Sequence, residues 1–441
     1  MSRIDLLSVM GACRTLHSML VPHLLAISHN LRRTNQLVSF CHFMLDDKPL
    51  RFLYLRDLTI SLTFVSSPLL SDLLAKVLRQ ACKLQGLGLH CGILEGDSRI
   101  SEAIAAHTGL RKLSLRYPGL GARRMLTCMQ SPIEVVEVIM SEASEGGIVD
   151  PGSLLAGFCS TLTSLSATLA RFSTTGIQYP HLTTLELNCC NNLDIGPLMH
   201  LFPNVRNLKI VTCQGLCSHH EHTSQAVIVD ESDVKLHRLS NLVVQSELLL
   251  QWRTLEYVQG DLPNLYCLAI RGSIRRLDII SADAGNADKL PAILTDLHPS
   301  SLFLDVNSDF YQDLPELLQE ATKGVCALLL IINKRSTFEE MKRLMECVLG
   351  ATSSLTHTFF HFKSLPPSIS FEKNYHKKLD LDKLSQRAML KIPPLQYISL
   401  EWNKHPPLFW RICRIERHSE GKVLEALPAE VGAKVMAEVG F

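Results

Sequence analysis

The chain has 441 residues, 46% of them hydrophobic, with a mean hydropathy of +0.13. That is enough apolar side chain for a large core and excludes a disordered tail or a disulfide-stapled mini-protein. The 44 Lys and Arg against 43 Asp and Glu leave a formal charge of +1, which removes the basic excess expected of a nucleic-acid binder or of a protein held on an anionic membrane. Aromatics are only 6% of the chain while leucine abounds, a skew that repetitive packing produces.

Asp5 and Arg14 interrupt the first turns, so no secretory leader is expected. The longest tight apolar run, Ala327 to Ile332, falls far short of the roughly 18 residues of a membrane-spanning helix. Fourteen cysteines are scattered singly and no Asn-x-Ser/Thr sequon occurs. Reduced thiols and a cytoplasmic or nuclear location are therefore expected. From Asp5 to Leu25, the positions of Leu6, Leu7, Met10 and Cys13 suit an amphipathic helix that caps whatever follows.

From residue 55 the template Leu-x-x-Leu-x-Leu, with aliphatic replacements, recurs. It appears at Leu55-Leu58-Ile60, Leu84-Leu87-Leu89, Leu110-Leu113-Leu115, Ile133-Val136-Val138, Leu162-Leu165-Ala167, Leu182-Leu185-Leu187 and Val205-Leu208-Ile210. First positions lie 29, 26, 23, 29, 20 and 23 residues apart, inside the window of about 20–29 residues of a leucine-rich repeat. The last two aliphatics of each template alternate with polar residues and form one face of a short strand. Between strands, Pro68 to Cys82 places Leu69, Leu70, Leu73, Leu74, Val77 and Leu78 at helical spacing, with Ser67 as cap and Pro68 in the first turn. The expected fold is α/β, a leucine-rich-repeat solenoid with a curved parallel sheet and convex helices.

Beyond residue 213 the period loosens. Strands are expected at Leu239-Leu242-Val244, Leu255-Val258, Leu265-Leu268-Ile270, Ile274-Leu277-Ile279, Val325-Leu328-Leu330, Leu355-Thr358-Phe360 and Leu395-Ile398-Leu400. The steps of about ten residues between Leu255, Leu265 and Ile274 leave no room for a helix. Ser218 to Asp233 and Ser364 to Lys378 read as surface loops. The chain is thus divided into a helical segment at 1–45, repeats at 46–402 that are irregular after about 213, and a C-terminal cap at 403–441, where an amphipathic stretch from Ala426 to Val439 is placed to cover the last open face.

Chemistry-bearing constellations are sparse. Cys213, Cys217, His219, His220 and His222 offer zinc-type donors, but Cys213 and Cys190 each stand eight residues after a template start, at the Asn/Cys position where a thiol turns inward. No metal and no cofactor are expected. Gly-x-Ser-x-Gly, His-Glu-x-x-His, the P-loop and Gly-x-Gly-x-x-Gly are absent, so no catalytic residue is nominated. A hydrolase site assembled from an insertion is the remote alternative. Gly86 and Gly88 fall on the strand face opposite the core and imply a close approach there. Arg271, Arg275 and Arg276 with Lys289, and Lys373, His376, Lys377 and Lys378, read as solvated surface. What remains is the concave face, where Asp57, Thr59, Lys112, Ser114, Ser164, Ser166, Thr184, Glu186, Asn207 and Lys209 project together. They are the candidate residues for binding a client protein, whose identity the sequence does not name.

The segment Asp5-Leu6-Leu7, then Val9 to His17 with Cys13-Arg14, then Val21-Pro22-His23-Leu24-Leu25, resembles the second half of an F-box, with Leu16 where that pattern has tryptophan. Together with Phe40 to Leu45 and the irregular repeats, the chain looks like the fungal F-box-type leucine-rich-repeat proteins. The resemblance implies a non-enzymatic substrate-recognition subunit of a Skp–cullin–F-box ubiquitin ligase, with Leu6, Leu7, Met10, Cys13, Arg14 and Leu16 facing the Skp adaptor. The L-P-x-E start of the first F-box helix has no counterpart after Met1, so weak adaptor binding is expected of this form. The alternative is a leucine-rich-repeat interaction scaffold with no ubiquitin link.

Overall fold

The computed structural model describes residues 14–46, 49–65, 67–140, 150–174, 176–190, 193–211, 231–248, 252–306, 317–318, 324–332, 346, 348, 355–362, 394–402, 408–414 and 422–441. They fall into two compact units, the first spanning Met1–Asn191 and Pro197–Val205, the second Asn192–Gly196 and Arg206–Phe441.

The first unit opens with helix α1 (Arg14–Ala26), strand β1 (His29–Leu31) and helix α2 (Thr34–Leu45). Six strands follow: β2 (Asp57–Ile60), β3 (Gly86–His90), β4 (Lys112–Arg116), β5 (Val135–Ile139), β6 (Ser164–Thr168) and β7 (Thr184–Asn188). Each of β1 to β7 pairs in parallel with its neighbour in chain order. Helices α3 (Pro68–Gln80), α4 (Ser98–Ala105) and α5 (Leu120–Cys128) connect successive strands, with α4 packed against both α3 and α5.

All three template positions are buried. Leu55, Leu84, Leu110, Ile133, Leu162 and Leu182 are fully buried at the strand entrances, and the strand aliphatics are at most 2% exposed. A backbone device repeats with them: the carbonyl of Arg56 accepts the N–H groups of both Gln85 and Gly86. The carbonyls of Gln85, Arg111, Glu134 and Thr163 do the same for the next strand. Main-chain polar groups entering the sheet are satisfied in this way, with side chains adding to it where Ser131 accepts the Leu110 N–H and Thr161 donates to the Ile133 carbonyl. Where the chain leaves a strand, Tyr117, Leu169 and Cys189 adopt left-handed φ values of 57°, 56° and 52°, an unusual conformation for such side chains.

Helix α3 begins at Pro68 as expected, although the Ser67 side chain makes no capping bond. Leu70, Leu74, Val77 and Leu78 form its buried face, while Leu69 is 72% exposed. Further along, Tyr179 is fully buried against Phe202, and its hydroxyl donates to the carbonyl of Gly152.

The second unit contains β8 (Asn207–Val211), helix α6 (Glu231–Leu248), β9 (Tyr257–Gly260), helix α7 (Leu262–Leu268), β10 (Arg276–Ala282), helix α8 (Leu290–Leu297), β11 (Ser301–Val306), β12 (Ala327–Ile332), β13 (His357–Phe362) and β14 (Tyr397–Trp402). Its strands from β8 to β14 are parallel in chain order. Two antiparallel strands, β15 (Leu408–Arg414) and β16 (Lys422–Leu427), then pair edge to edge after β14, and helix α9 (Ala429–Glu438) ends the chain. The expected α/β leucine-rich-repeat fold is thus present within each unit, with α3 to α5 between successive strands from β2 to β5 and α6 to α8 between successive strands from β8 to β11.

Three sequence expectations need correction. Leu239-Leu242-Val244 is helix α6, not strand, because Asn241 and Gln245 bury their carboxamides against backbone on the same helical face. Leu265-Leu268-Ile270 lies in and just after helix α7, started by Asp261, whose carboxylate caps the Asn264 N–H, and by Pro263. Leu255 to Ile274 is accordingly one repeat carrying its own short helix. Strand β11 escaped the template because Pro299 occupies its first position, yet Leu302, Leu304 and Val306 are fully buried. The loops expected at Ser218 to Asp233 and Ser364 to Lys378 lie outside the described residues, except that 231–233 begin α6.

Candidate functional site

The side chains opposite the core line up by register. In the first unit Asp57, Gly86, Lys112, Val135, Ser164 and Thr184 form one row across β2 to β7, and Thr59, Gly88, Ser114, Glu137, Ser166 and Glu186 form the next. Every candidate named from this stretch of sequence stands in one of these two rows. None of the eight is buried. A Cβ on Gly88 would lie 2.9 Å from both the Cγ2 and Oγ1 of Thr59, so the glycines of β3 let the Asp57 and Thr59 side chains lean across the strand. The rows carry short polar links: Ser114 donates to Glu137 at 2.9 Å, and the Asn188 amide donates to Glu186 at 3.2 Å. The face carries both signs of charge, Lys112 and Arg116 on β4 and Asp57, Glu137 and Glu186 on β2, β5 and β7.

The second unit presents a different face. Asn207 and Lys209 begin its two rows, which continue as Tyr257, Arg276, Ser301, Ala327, His357 and Tyr397, and as Gln259, Asp278, Phe303, Leu329, Phe359 and Ser399. The sequence reading stopped at Lys209 and missed these residues. Their signal was the character of the two x positions flanking the second leucine of each late template, which turn from polar to aromatic and aliphatic. Ala327 to Ile332 is apolar without alternation, the pattern of a strand covered on both sides.

An ionic cluster sits in this face. Arg276 grips Asp278 with two bonds, from Nε at 2.6 Å and Nη2 at 2.8 Å, and Tyr257 donates its hydroxyl to the same carboxylate at 2.9 Å. Burial, and then the neighbouring Asp278 charge, push the Tyr257 phenol well above its ordinary range. Asp278 is 4% exposed, so a shared charge is held here out of water. Three strands further along the same row His357 stacks on Tyr397, with centroids 4.9 Å apart and planes at 12°. Its imidazole is held below the ordinary histidine value by burial, against an opposing pull from Glu438.

The last helix lies over this cluster. Ser301 donates to the carbonyl of Val439 at 2.7 Å, Arg275 to that of Glu438 at 3.4 Å, and Arg276 Nη1 to that of Gly440. The Arg276 guanidinium lies 5.3 Å from the Phe441 ring centroid, and Phe441 meets Phe359 edge-on at 5.6 Å.

The remaining nominated residues distribute as follows. Leu6, Leu7, Met10 and Cys13 lie outside the described residues; Arg14 and Leu16 belong to helix α1, where only their backbone is described. Cys213, Cys217, His219, His220 and His222, and the basic run Lys373 to Lys378, also lie outside them. Among the described residues no group of three or more His, Cys, Asp or Glu side chains is arranged to hold a metal ion, and no helix is long and apolar enough to cross a membrane. Cys190 is 4% exposed and accepts the Ala170 N–H on its sulfur at 3.4 Å, as its repeat position implies. Its thiol is pushed up to about 11 by burial. The expectation of free thiols needs one correction, since Cys189 takes part in a disulfide. The basic group at 271–289 is not one solvated patch either, because Arg276 is committed to Asp278 and Lys289 is 5% exposed beside Asp288.

No family model matches the chain, and no curated protein matches it. Solved structures similar to it include the leucine-rich repeat-containing protein LegL7 from Legionella pneumophila. That protein shares 14% identity and a TM-score of 0.35, over 84% of this chain and 100% of its own.

Proposed function

We propose that the chain is a non-enzymatic recognition scaffold that binds a client protein on the concave side of its sheets. The observation that carries this reading is the register of the outward side chains. Parallel strands one repeat apart set polar groups of both signs in straight rows about 4.8 Å from strand to strand, a spacing suited to an extended or helical partner and not to a small-molecule pocket. Affinity capture with quantitative comparison tests the proposal, using the chain beside a Lys112→Glu, Glu186→Lys double variant of equal melting temperature. Partners lost from the variant and regained by a charge-swapped partner surface support it. A partner set indifferent to both substitutions would sink it.

A narrower reading makes the chain a substrate-recognition subunit of a Skp–cullin–F-box ubiquitin ligase. It is supported by the F-box-like stretch from Asp5 to Leu25 and, through the same resemblance, by Phe40 to Leu45 and the irregular repeats. Calorimetric titration with the Skp adaptor tests it, on the chain and on a version extended by an F-box first helix. Binding abolished by Leu7→Asp at constant melting temperature supports the ligase role, and absence of binding by both versions excludes it.

A further inference from the structure

We propose that the concave face of β10 to β13 is a receptor for the C-terminal end of a helix followed by glycine and an aromatic residue, and that residues 429–441 are its built-in, exchangeable occupant. The inference deepens the recognition reading by naming a ligand class for the second unit. It is tested with a segment of this chain, so it can stand where client capture by the first unit fails.

The contact has the chemistry of a binding site more than that of a packed core. Its donors, Arg275, Arg276 and Ser301, all address backbone carbonyls at residues 438–440. Two of these, at Glu438 and the C-cap Val439, are carbonyls a helix leaves without internal partners at its C-terminus, where the dipole also favours cations; the third, at Gly440, belongs to the turn that follows. Helix α9 ends in a Schellman turn: the Gly440 N–H bonds to Ala437 and the Phe441 N–H to Met436, with Gly440 at φ +95°. A side chain is rarely adopted at such a φ, so glycine is what lets the chain reverse. The reversal delivers Phe441 between the Phe359 ring and the Arg276 guanidinium, an aromatic anchor of the kind that dominates recognition energy. The hydrogen bonds go to backbone and the aromatic contact to a single ring, features that a helix with this ending shares whatever its other side chains.

The occupant is also loosely committed. Of the helix's ten residues only Gly432 is buried, and Val431 is 45% exposed. Pro428 joins it to β16 in extended conformation, a joint that allows the helix to lift without unpairing the sheet. A short helix that packs on β15 and buries one residue belongs to the low-stability end of a fold, and its tether supplies a high local concentration that an outside ligand must outcompete.

The test uses the full chain and a fluorescent, amidated peptide of residues 426–441. In native-state hydrogen exchange the amides of 429–441 are expected to open well before those of β10 to β12; equal protection would overturn the proposal. The Gly440→Val, Phe441→Ala variant, with its own occupant weakened and the face intact, is expected to bind the peptide at least tenfold more tightly than the unaltered chain. Adding Ser301→Ala or Arg276→Ala is expected to reverse that gain tenfold. A folded double variant that takes up no peptide overturns the proposal. So does a double variant that loses cooperative melting, because the helix would then be an integral cap.

Discussion

The side-chain oxygen of Asn241 accepts the backbone N–H of Ile195 at 3.0 Å, with Asn241 2% exposed. Its amide nitrogen donates to the carbonyls of Leu193 and Cys267 at 3.1 and 2.9 Å, so one carboxamide in helix α6 satisfies three buried backbone groups from two other segments. Leaving such groups unpaired costs about 1–3 kcal/mol each. Asn241→Ala is therefore expected to destabilise the second unit by about 3 kcal/mol, and Asn241→Asp, which sets a buried carboxylate against two carbonyl oxygens, by at least as much. Urea unfolding followed by a probe in that unit measures both.

Repeat stacking makes a sharper demand on the first unit. Leu113 and Leu185 are 2% and 0% exposed, and truncating a buried leucine to alanine removes transfer energy and leaves a cavity, about 2–5 kcal/mol in all. Leu113→Ala and Leu185→Ala should each lose that much. Ser114→Ala and Thr184→Ala, on the opposite face, should stay within about 0.5 kcal/mol. Thermal melts that fail to separate the two pairs would place the strands in the wrong register.

Arg238 in α6 donates to Asp296 at 2.6 Å, with both side chains 13% exposed, and lies over the Tyr266 ring at 4.4 Å. The pair fastens α6 near α7 and α8. Removing one partner of a mostly buried pair strands the other charge, at a cost of about 3–5 kcal/mol. Asp296→Ala is expected to approach that cost, whereas Arg238→Met with Asp296→Leu together should cost far less. A double-mutant cycle in denaturant decides it.

Three histidines give the protein a pH dependence of definite sign. His107 and His90 are held below the ordinary value by burial, with Arg116 adding to the effect at His90, and His357 is lowered in the same sense. The unfolded chain protonates these rings near their ordinary value of about 6.5, while the folded chain resists until lower pH. Between those values the unfolded state binds more protons, so stability should be fullest above about pH 6.5 and fall as the pH drops through the folded values. His107 is the best reporter, because its Nε2 is buried with no hydrogen-bond partner. In His107→Gln the decline between pH 6.5 and 5 should be shallower.

The recurrence of aliphatic triplets by itself determined β2 to β7 but not β1, since a period-2 pattern admits one face to the core and a one-residue slip would expose Leu58, Leu87, Leu113 and Leu185 together. The same arithmetic located β9, β10, β12, β13 and β14, and it set the eight first-unit candidates on one face, whose two rows follow from the strand register. Tertiary structure alone decided the rest. Leu239-Leu242-Val244 fits a strand template and a helix equally well, and the buried carboxamides of Asn241 and Gln245, which need distant backbone groups, tip it to helix. Asp278, Phe303, Leu329 and Phe359 were visible as letters but not as a site, because an outward position is recognition surface only if nothing covers it. That depended on where residues 429–441 come to rest, and the partners that hold them, Arg276 and Ser301, lie more than a hundred residues away in the chain. Local patterning does not encode so distant a pairing, which the geometry of a glycine turn and an aromatic ring settles in space.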